Sequence, residues 1–365
     1  MIEAGDISHT ATYRDSMIFA SDNWAGAHPR IAASLSAHAA GYEPAYGNGE
    51  LDKIVSQRFS EIFEREVAVF FTATGTAANA LSMSVCNRIG GVAFCHAEAH
   101  MTVDEFGAMG FFTDGARTLP VAGGLGRIDP KALDRAITRF SHDLAPAGQP
   151  MAVTITQATE IGTVYGLDDI AAVSAVAKKH GLPLHMDGAR FANGLAALEV
   201  TPAEMTWKNG VDIVSFGGTK NGCWMAEAVV VLNPELGRDL QVLRQRAGQL
   251  FSKSRFMAAQ FEAYLADDLW LETARHANAM AARLADTLRA SNRVRLAWEP
   301  QANEVFAMLT REKAERIRAA GARFHEWGLP QSFDGDLPEG EAIYRFVTSF
   351  ATTVEEVDAF GALIA

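Results

Sequence analysis

Cysteine is scarce in this chain, and clusters of positive charge are missing from it. The 365 residues include three cysteines, Cys86, Cys95 and Cys223. An odd number without a CxxC pair fits free thiols in a reducing compartment better than a disulfide framework. No run of Lys or Arg longer than Lys178-Lys179 occurs, and the formal charge is -12. Neither nucleic acid nor an acidic membrane surface offers counter-charge to such a protein. No stretch approaches the roughly 20 uninterrupted apolar residues of a membrane helix. The opening MIEAGDISHTATYRDSMIF mixes acids, bases and polar residues, so it lacks the basic start and apolar block of a secretory signal. Internal repeats and low-complexity segments are absent too. The expectation is a globular protein of the cytoplasm whose partner is a small molecule.

What is present is a long, conventional globular sequence. With 48% hydrophobic and 21% charged residues over this length, the chain can bury a full core and divide into two domains. From about residue 67 onward, short apolar runs alternate with amphipathic stretches, the pattern of a mainly parallel sheet flanked by helices. The strand candidates are Val67 to Thr72, Val92 to Cys95, Met151 to Thr156, Leu184 to Met186, Ile213 to Phe216 and Ala228 to Leu232. Their continuous apolarity implies cover on both faces. Leu167 to His180 reads as a crossover helix, with Asp168 and Asp169 at its start and Gly181 at its end. After about residue 265 an Ala-rich helical segment, Asp268 to Ser291, precedes strand candidates Val305 to Leu309 and Ala342 to Ser349. Thr353 and Glu356 then form a capping-box pattern for a last helix. The division expected is an N-terminal segment 1–18, a large domain 19–265 and a smaller C-terminal α/β domain 266–365.

Three segments carry chemistry. Ile213 to Gly222 (IVSFGGTKNG) runs an apolar strand into small residues and delivers Lys220 at the strand's carboxyl end, where α/β sheets collect ligands. A lysine there can be partly desolvated and lose its charge, as an amine must before it forms a Schiff base. Leu184 to Arg190 (LHMDGAR) ends a second strand on Asp187, a carboxylate that can pair with a protonated pyridine nitrogen. Phe70 to Asn79 (FFTATGTAAN) is a strand followed by a small-residue turn that opens a helix, a site suited to a phosphate. Each segment alone also reads as ordinary: a surface lysine, a helix-capping aspartate, a common strand-to-helix turn. Two strand ends that supply Asp187 and Lys220 together read as one site.

Taken with FASDN at Phe19 to Asn23 and AYG at Ala45 to Gly47, these motifs resemble the threonine aldolase family over nearly the whole chain. The likeness is strongest to the bacterial low-specificity L-threonine aldolases. That family belongs to the β-eliminating lyases within the fold-type-I, aspartate aminotransferase-like enzymes that use pyridoxal 5'-phosphate. The resemblance implies a large domain with a mainly parallel sheet and a smaller C-terminal α/β domain. It makes Lys220 the Schiff-base lysine, Asp187 the partner of the ring nitrogen, Gly75 and Thr76 the phosphate ligands, and His100 the histidine stacked on the ring. It places Arg190 beside the cofactor's phenolic oxygen and the substrate carboxylate, with Ser21 nearby and Arg345 gripping that carboxylate. It also implies a homodimer or homotetramer with active sites at interfaces, where Tyr46 comes from a neighbouring chain and Lys253 and Arg255 are candidate phosphate ligands.

Cys95, His96, Glu98, His100, Asp104 and Glu105 also resemble a metal-ligand cluster, but their spacing fits no closed ligand set, so no metal is expected. The sequence departs from the family at one place. Where the aldolases carry a histidine after the strand beginning near residue 151, this chain reads Thr156-Gln157-Ala158-Thr159-Glu160, and Glu160 stands at about that position. The base for the substrate hydroxyl is left open among His100, Glu160 and an ordered water. The reaction implied is cleavage of L-threonine, L-allo-threonine and related β-hydroxy-α-amino acids, phenylserine among them, to glycine and an aldehyde. A β-elimination, a transamination or a non-catalytic binding module would use the same framework.

Overall fold

In a computed structural model of the chain, residues 16–140, 148–291, 294–331, 333 and 335–364 are described. Residues 1–15 of the expected N-terminal segment lie outside them. Seven strands form the large sheet: β1 (Ala68–Thr72), β2 (Gly91–His96), β3 (Arg117–Val121), β4 (Gln149–Thr156), β5 (Leu184–Gly188), β6 (Ile213–Gly217) and β7 (Glu227–Val231). Their order is β1-β7-β6-β5-β4-β2-β3. All run parallel except β7, which is antiparallel to both neighbours. Strands β2, β5, β6 and β7 are buried along their whole length, as strands covered by helices on both faces must be.

Strand β3 has no counterpart among the sequence-based strands. It is the sheet edge, its exposed Arg117 and Pro120 dilute the apolar pattern, and an edge is where proline is tolerated within a sheet. The crossover helix Leu167–Lys179 follows its signals closely. Asp169 accepts the Gly166 amide at 3.1 Å at the start, and Gly181 turns the chain at φ 66° after the end. Ile170, Val173 and Ala177 face the core.

A second, antiparallel sheet is built from β8 (Arg295–Leu296), β9 (Glu304–Thr310), β10 (His325–Trp327) and β11 (Glu341–Val347), in the order β10-β11-β9-β8. Its core joins Val305, Ala307, Tyr344 and Phe346 to the last helix, Val354–Ile364, through Phe360. The reciprocal Thr353–Glu356 capping box is present, with bonds of 2.8 and 3.1 Å. Met17 and Phe19 belong to this smaller core, and Phe19 meets Phe360 edge-on at 5.4 Å. The long helix Leu269–Ala290 ties the two layers together. Its first turns, Leu269, Trp270 and Ala274, sit in the large core, while Met280 to Leu288 sit in the small one.

Because β7 reverses direction, its first residue lies at the same sheet edge as the last residues of its neighbours. Glu227 pairs with Thr72 of β1 and with Gly217 of β6. That edge also collects the loops after β4, β5 and β6, and it is where the site forms.

Candidate active site

A cleft of about 240 Å³ opens at this edge, lined among others by Gly75, Thr76, His100, Asp187 and Lys220. Five residues named from separate sequence segments therefore line one cleft. The strand ends can approach because they lack side chains at the crossing. A Cβ on Gly188 would lie 2.7 Å from the Ser215 carbonyl oxygen, and one on Gly217 would collide with the Ala189 carbonyl.

Lys220 sits half-buried in the short turn Thr219–Asn221 that follows β6. Three hydrogen bonds hold that turn. Asn221 donates its amide to the Tyr264 hydroxyl and the Trp270 carbonyl, both at 2.8 Å. The Thr219 amide donates to Glu227 Oε1 at 3.3 Å. Burial pushes the Glu227 carboxyl up to about 7.

Asp187, at the end of β5, accepts the Ala189 amide at 3.1 Å and Asn79 Nδ2 at 2.8 Å. The same Asn79 nitrogen donates to Glu105 Oε1 at 2.8 Å, and Glu105 Oε1 in turn meets His100 Nδ1 at 2.9 Å. A buried chain of polar groups thus links the carboxylate at one side of the cleft to the imidazole at the other. Burial raises the Asp187 carboxyl, with the Glu105 and Glu160 charges adding to it. His100 is raised, first by its bond to Glu105. Asn79 and Glu105 were missed as site residues. Asn79 lies one helical turn beyond Gly75 on the same face, a spacing that could have signalled it; Glu105 stood in the sequence only as a member of the candidate metal cluster. Among the described residues no group of three or more His, Cys, Asp or Glu is arranged to hold a metal. Cys95 pairs with Thr102, and His96 with the Gly123 carbonyl.

On the side toward the small sheet lie the arginines. Ser21 caps a short turn, Asp22–Trp24, by accepting the Asn23 amide at 3.1 Å. That turn presents buried Asp22 to Arg190, whose Nε and Nη2 donate to it at 2.7 and 3.1 Å. Asn303 supplies Asp22 with a further donor at 3.1 Å. Burial opposes the charge on Asp22, but Arg190 and Lys220 hold its carboxyl below the usual range. Arg345, on β11, is only 14% exposed and stacks its guanidinium 4.3 Å above the Trp327 ring. Both arginines reach one buried carboxylate that sequence reasoning did not name: Glu304 Oε1 lies 3.3 Å from Arg190 Nη2 and 3.5 Å from Arg345 Nη1. Arg190 Nη1 and Arg345 Nε are buried and have no hydrogen-bond partner among the described residues.

Glu160 stands between the two groups. Burial alone would raise its carboxyl, but Lys220, Arg190, His100 and Arg345 together hold it below the usual range, so it is ionised at neutral pH. Its Oε1 is buried and unpartnered. Tyr46 is not brought into this cleft. It is 50% exposed, in a loop whose Gly47 amide donates to Ser254 Oγ at 2.8 Å. Lys253 is exposed, and Arg255 donates to the Gly41 carbonyl at 3.2 Å in its own chain.

The sequence model of the β-eliminating lyase family matches residues 19–312. The chain is 40% identical to the low-specificity L-threonine aldolase of Pseudomonas aeruginosa over 93% of its own length and 94% of the relative's. It is also 40% identical to that of a Pseudomonas species over 84% and 88%. Among solved structures, a Leishmania major threonine aldolase superposes with a TM-score of 0.87 at 27% identity, covering 95% of this chain and 98% of that one. A Sphingomonas wittichii serine palmitoyltransferase, at 17% identity, shares the fold at a TM-score of 0.68 over 96% and 86%. The cofactor of this fold-type-I family is pyridoxal phosphate, and the residues present fit it. The amides opening the helix Gly75–Ser84 face the cleft as an anion site. Buried Asp187 is set against the Glu105 and Glu160 charges with His100 as the cation acting on it, and a protonated ring nitrogen would add the countercharge that its burial calls for. The chain belongs to the β-eliminating lyase family, and within it to the threonine aldolases.

Proposed function

We propose that the enzyme cleaves L-threonine, L-allo-threonine and related β-hydroxy-α-amino acids to glycine and an aldehyde, at the cleft that holds Lys220. The observation that carries this reading is the convergence of Lys220, Asp187 and the helix opening at Gly75 on one cleft, with Glu160 held ionised by Lys220 and by the two arginines. Lys220 would attach pyridoxal phosphate, with Gly75 and Thr76 on the phosphate, Asp187 at the ring nitrogen and His100 over the ring. When bound, the cofactor takes up the electron pair released at Cα.

The protein's own groups do the rest. Arg345 and the unpaired Nη1 of Arg190 bind the substrate carboxylate, with Ser21 at the turn that sets Asp22 against Arg190. This orients the Cα–Cβ bond for cleavage. Glu160 takes the β-hydroxyl proton on its free Oε1, since it is ionised and unpartnered. His100 is a poorer base, because Glu105 favours its protonated form. We assign the protein to the cytoplasm and to a homodimer or homotetramer, in which Tyr46 reaches a neighbour's cleft and Lys253 and Arg255 approach its phosphate. The exposure of Tyr46, Trp224 and Met225 supports that assignment.

Incubating the holoenzyme with threonine, phenylserine, cysteine and tyrosine tests the reading. Aldehyde and glycine from the first two are expected. Pyruvate and ammonia from the last two, with no aldehyde, would replace it with β-elimination.

A further inference from the structure

Glu304 is a buried carboxylate beside the two arginines that the reaction does not explain. It opens β9, is fully buried, and neither carboxylate oxygen has a hydrogen bond among the described residues. Its two cationic neighbours approach the same oxygen, at 3.3 and 3.5 Å, without hydrogen-bonding geometry. Arg190 is already committed to Asp22 through two bonds. A carboxylate held this loosely in a dry site keeps its charge with difficulty.

The groups facing it come from four elements: Arg190 after β5, Arg345 on β11, Asp22 in the N-terminal turn and Glu160 after β4. Two arginine charges, with Lys220 acting on Asp22 and Glu160 from the cleft, therefore meet three carboxylates before any substrate arrives. A substrate carboxylate bound by the same arginines adds a fourth anion, and the loosely held Glu304 is the member that can be neutralised at least cost. We propose that Glu304 takes up one proton from solvent as the substrate carboxylate binds to Arg345 and Arg190, exchanging its own hold on the two guanidiniums for the substrate's. This rests on the reading of the arginines as the carboxylate site. In the empty protein, burial pushes the Glu304 carboxyl up to about 7 against the pull of both arginines. At acid pH the site is already protonated and ready. As pH rises through that value, binding must draw in a proton, and apparent affinity falls by up to about tenfold per pH unit.

The test compares wild-type and Glu304→Gln holoenzyme, measuring KM for L-threonine from about pH 6 to about pH 8, together with proton uptake on glycine binding by calorimetry in buffers of different ionisation enthalpy. The substrate amino group titrates equally in both enzymes, so the comparison isolates Glu304. The wild-type KM is expected to rise about tenfold across the range relative to the variant, and at the alkaline end wild type should take up nearly one proton more than the variant does. Glu304→Met, which also lacks a titrating group, gives the same outcome and serves if the glutamine variant does not fold. Identical KM slopes and identical proton uptake in wild type and variant would overturn the proposal. Arg345→Lys is measured in parallel. A raised KM there with unaltered Glu304→Gln slopes discards the proton uptake alone, and a wild-type KM there discards the carboxylate site beneath it.

Discussion

Replacing Asn79 with leucine, a side chain of similar size, removes the donor that serves two buried carboxylates at once. Both bonds are 2.8 Å long, and Asn79, Asp187 and Glu105 are each no more than 5% exposed. The loss is unequal. Glu105 Oε1 keeps its bond to His100, whereas Asp187 Oδ2 loses its one donor among the described residues. A hydrogen bond to a charged group contributes about 1.5–3 kcal/mol, so with Glu105 partly compensated the total should be about 3 kcal/mol. The sign with pH follows from Asp187, whose carboxyl burial already raises and Asn79 lowers. Stabilisation of its ionised form is present at alkaline pH and is lost as pH falls through the folded-state value. Urea unfolding of the cofactor-free enzyme should therefore show the Asn79→Leu deficit shrinking between alkaline and acid pH. Pyridoxal phosphate should also bind the variant more weakly, because less of Asp187 is ionised to meet the ring nitrogen. A variant within about 0.5 kcal/mol of wild type at both pH values would refute the claim that Asn79 sustains the Asp187 charge.

Three further outcomes are expected. Arg345→Lys keeps the charge but not the fork, and should lower kcat/KM for β-hydroxy amino acids by about 10- to 1000-fold with cofactor absorption unaltered; wild-type kinetics would remove Arg345 as the anchor. Glu160→Gln removes the proposed base and should lower kcat by about 10²- to 10⁴-fold with KM little affected, whereas retained kcat would pass the role to water or His100. Glu105→Gln replaces the charged partner of His100, so the His100 titration followed by NMR should move to lower pH; the stabilisation from that pair, present at acid pH and lost as pH rises through the His100 value, should vanish with it. An unmoved titration would show that Glu105 does not set the protonation of His100.

Much of this arrangement is legible in one dimension because it is written locally. The apolar runs of β4, β5 and β6 stop where the sheet stops, so Asp187 and Lys220 fall at its edge without further information. The helix signals around residues 167–181 and 353–356 are short-range hydrogen bonds, and they stand where the sequence puts them. What escapes is long-range. Asp22 meets Arg190, and Glu304 meets Arg190 and Arg345, across separate parts of the chain; no local pattern distinguishes such acids from surface ones. The reversed β7 is likewise invisible, since an apolar run carries no direction, yet its reversal is what brings Glu227 to the site. Edge strand β3 escapes because exposure and Pro120 erase the apolar signal.

The most direct test of the central claim is chemical. Purified holoenzyme reduced with borohydride, digested and mapped by mass spectrometry should carry the pyridoxyl group on the peptide containing Lys220, and Lys220→Ala should lack both that adduct and nearly all aldehyde release from threonine. An adduct on a different lysine, or a Lys220→Ala enzyme that still releases aldehyde at the wild-type rate, would contradict the account.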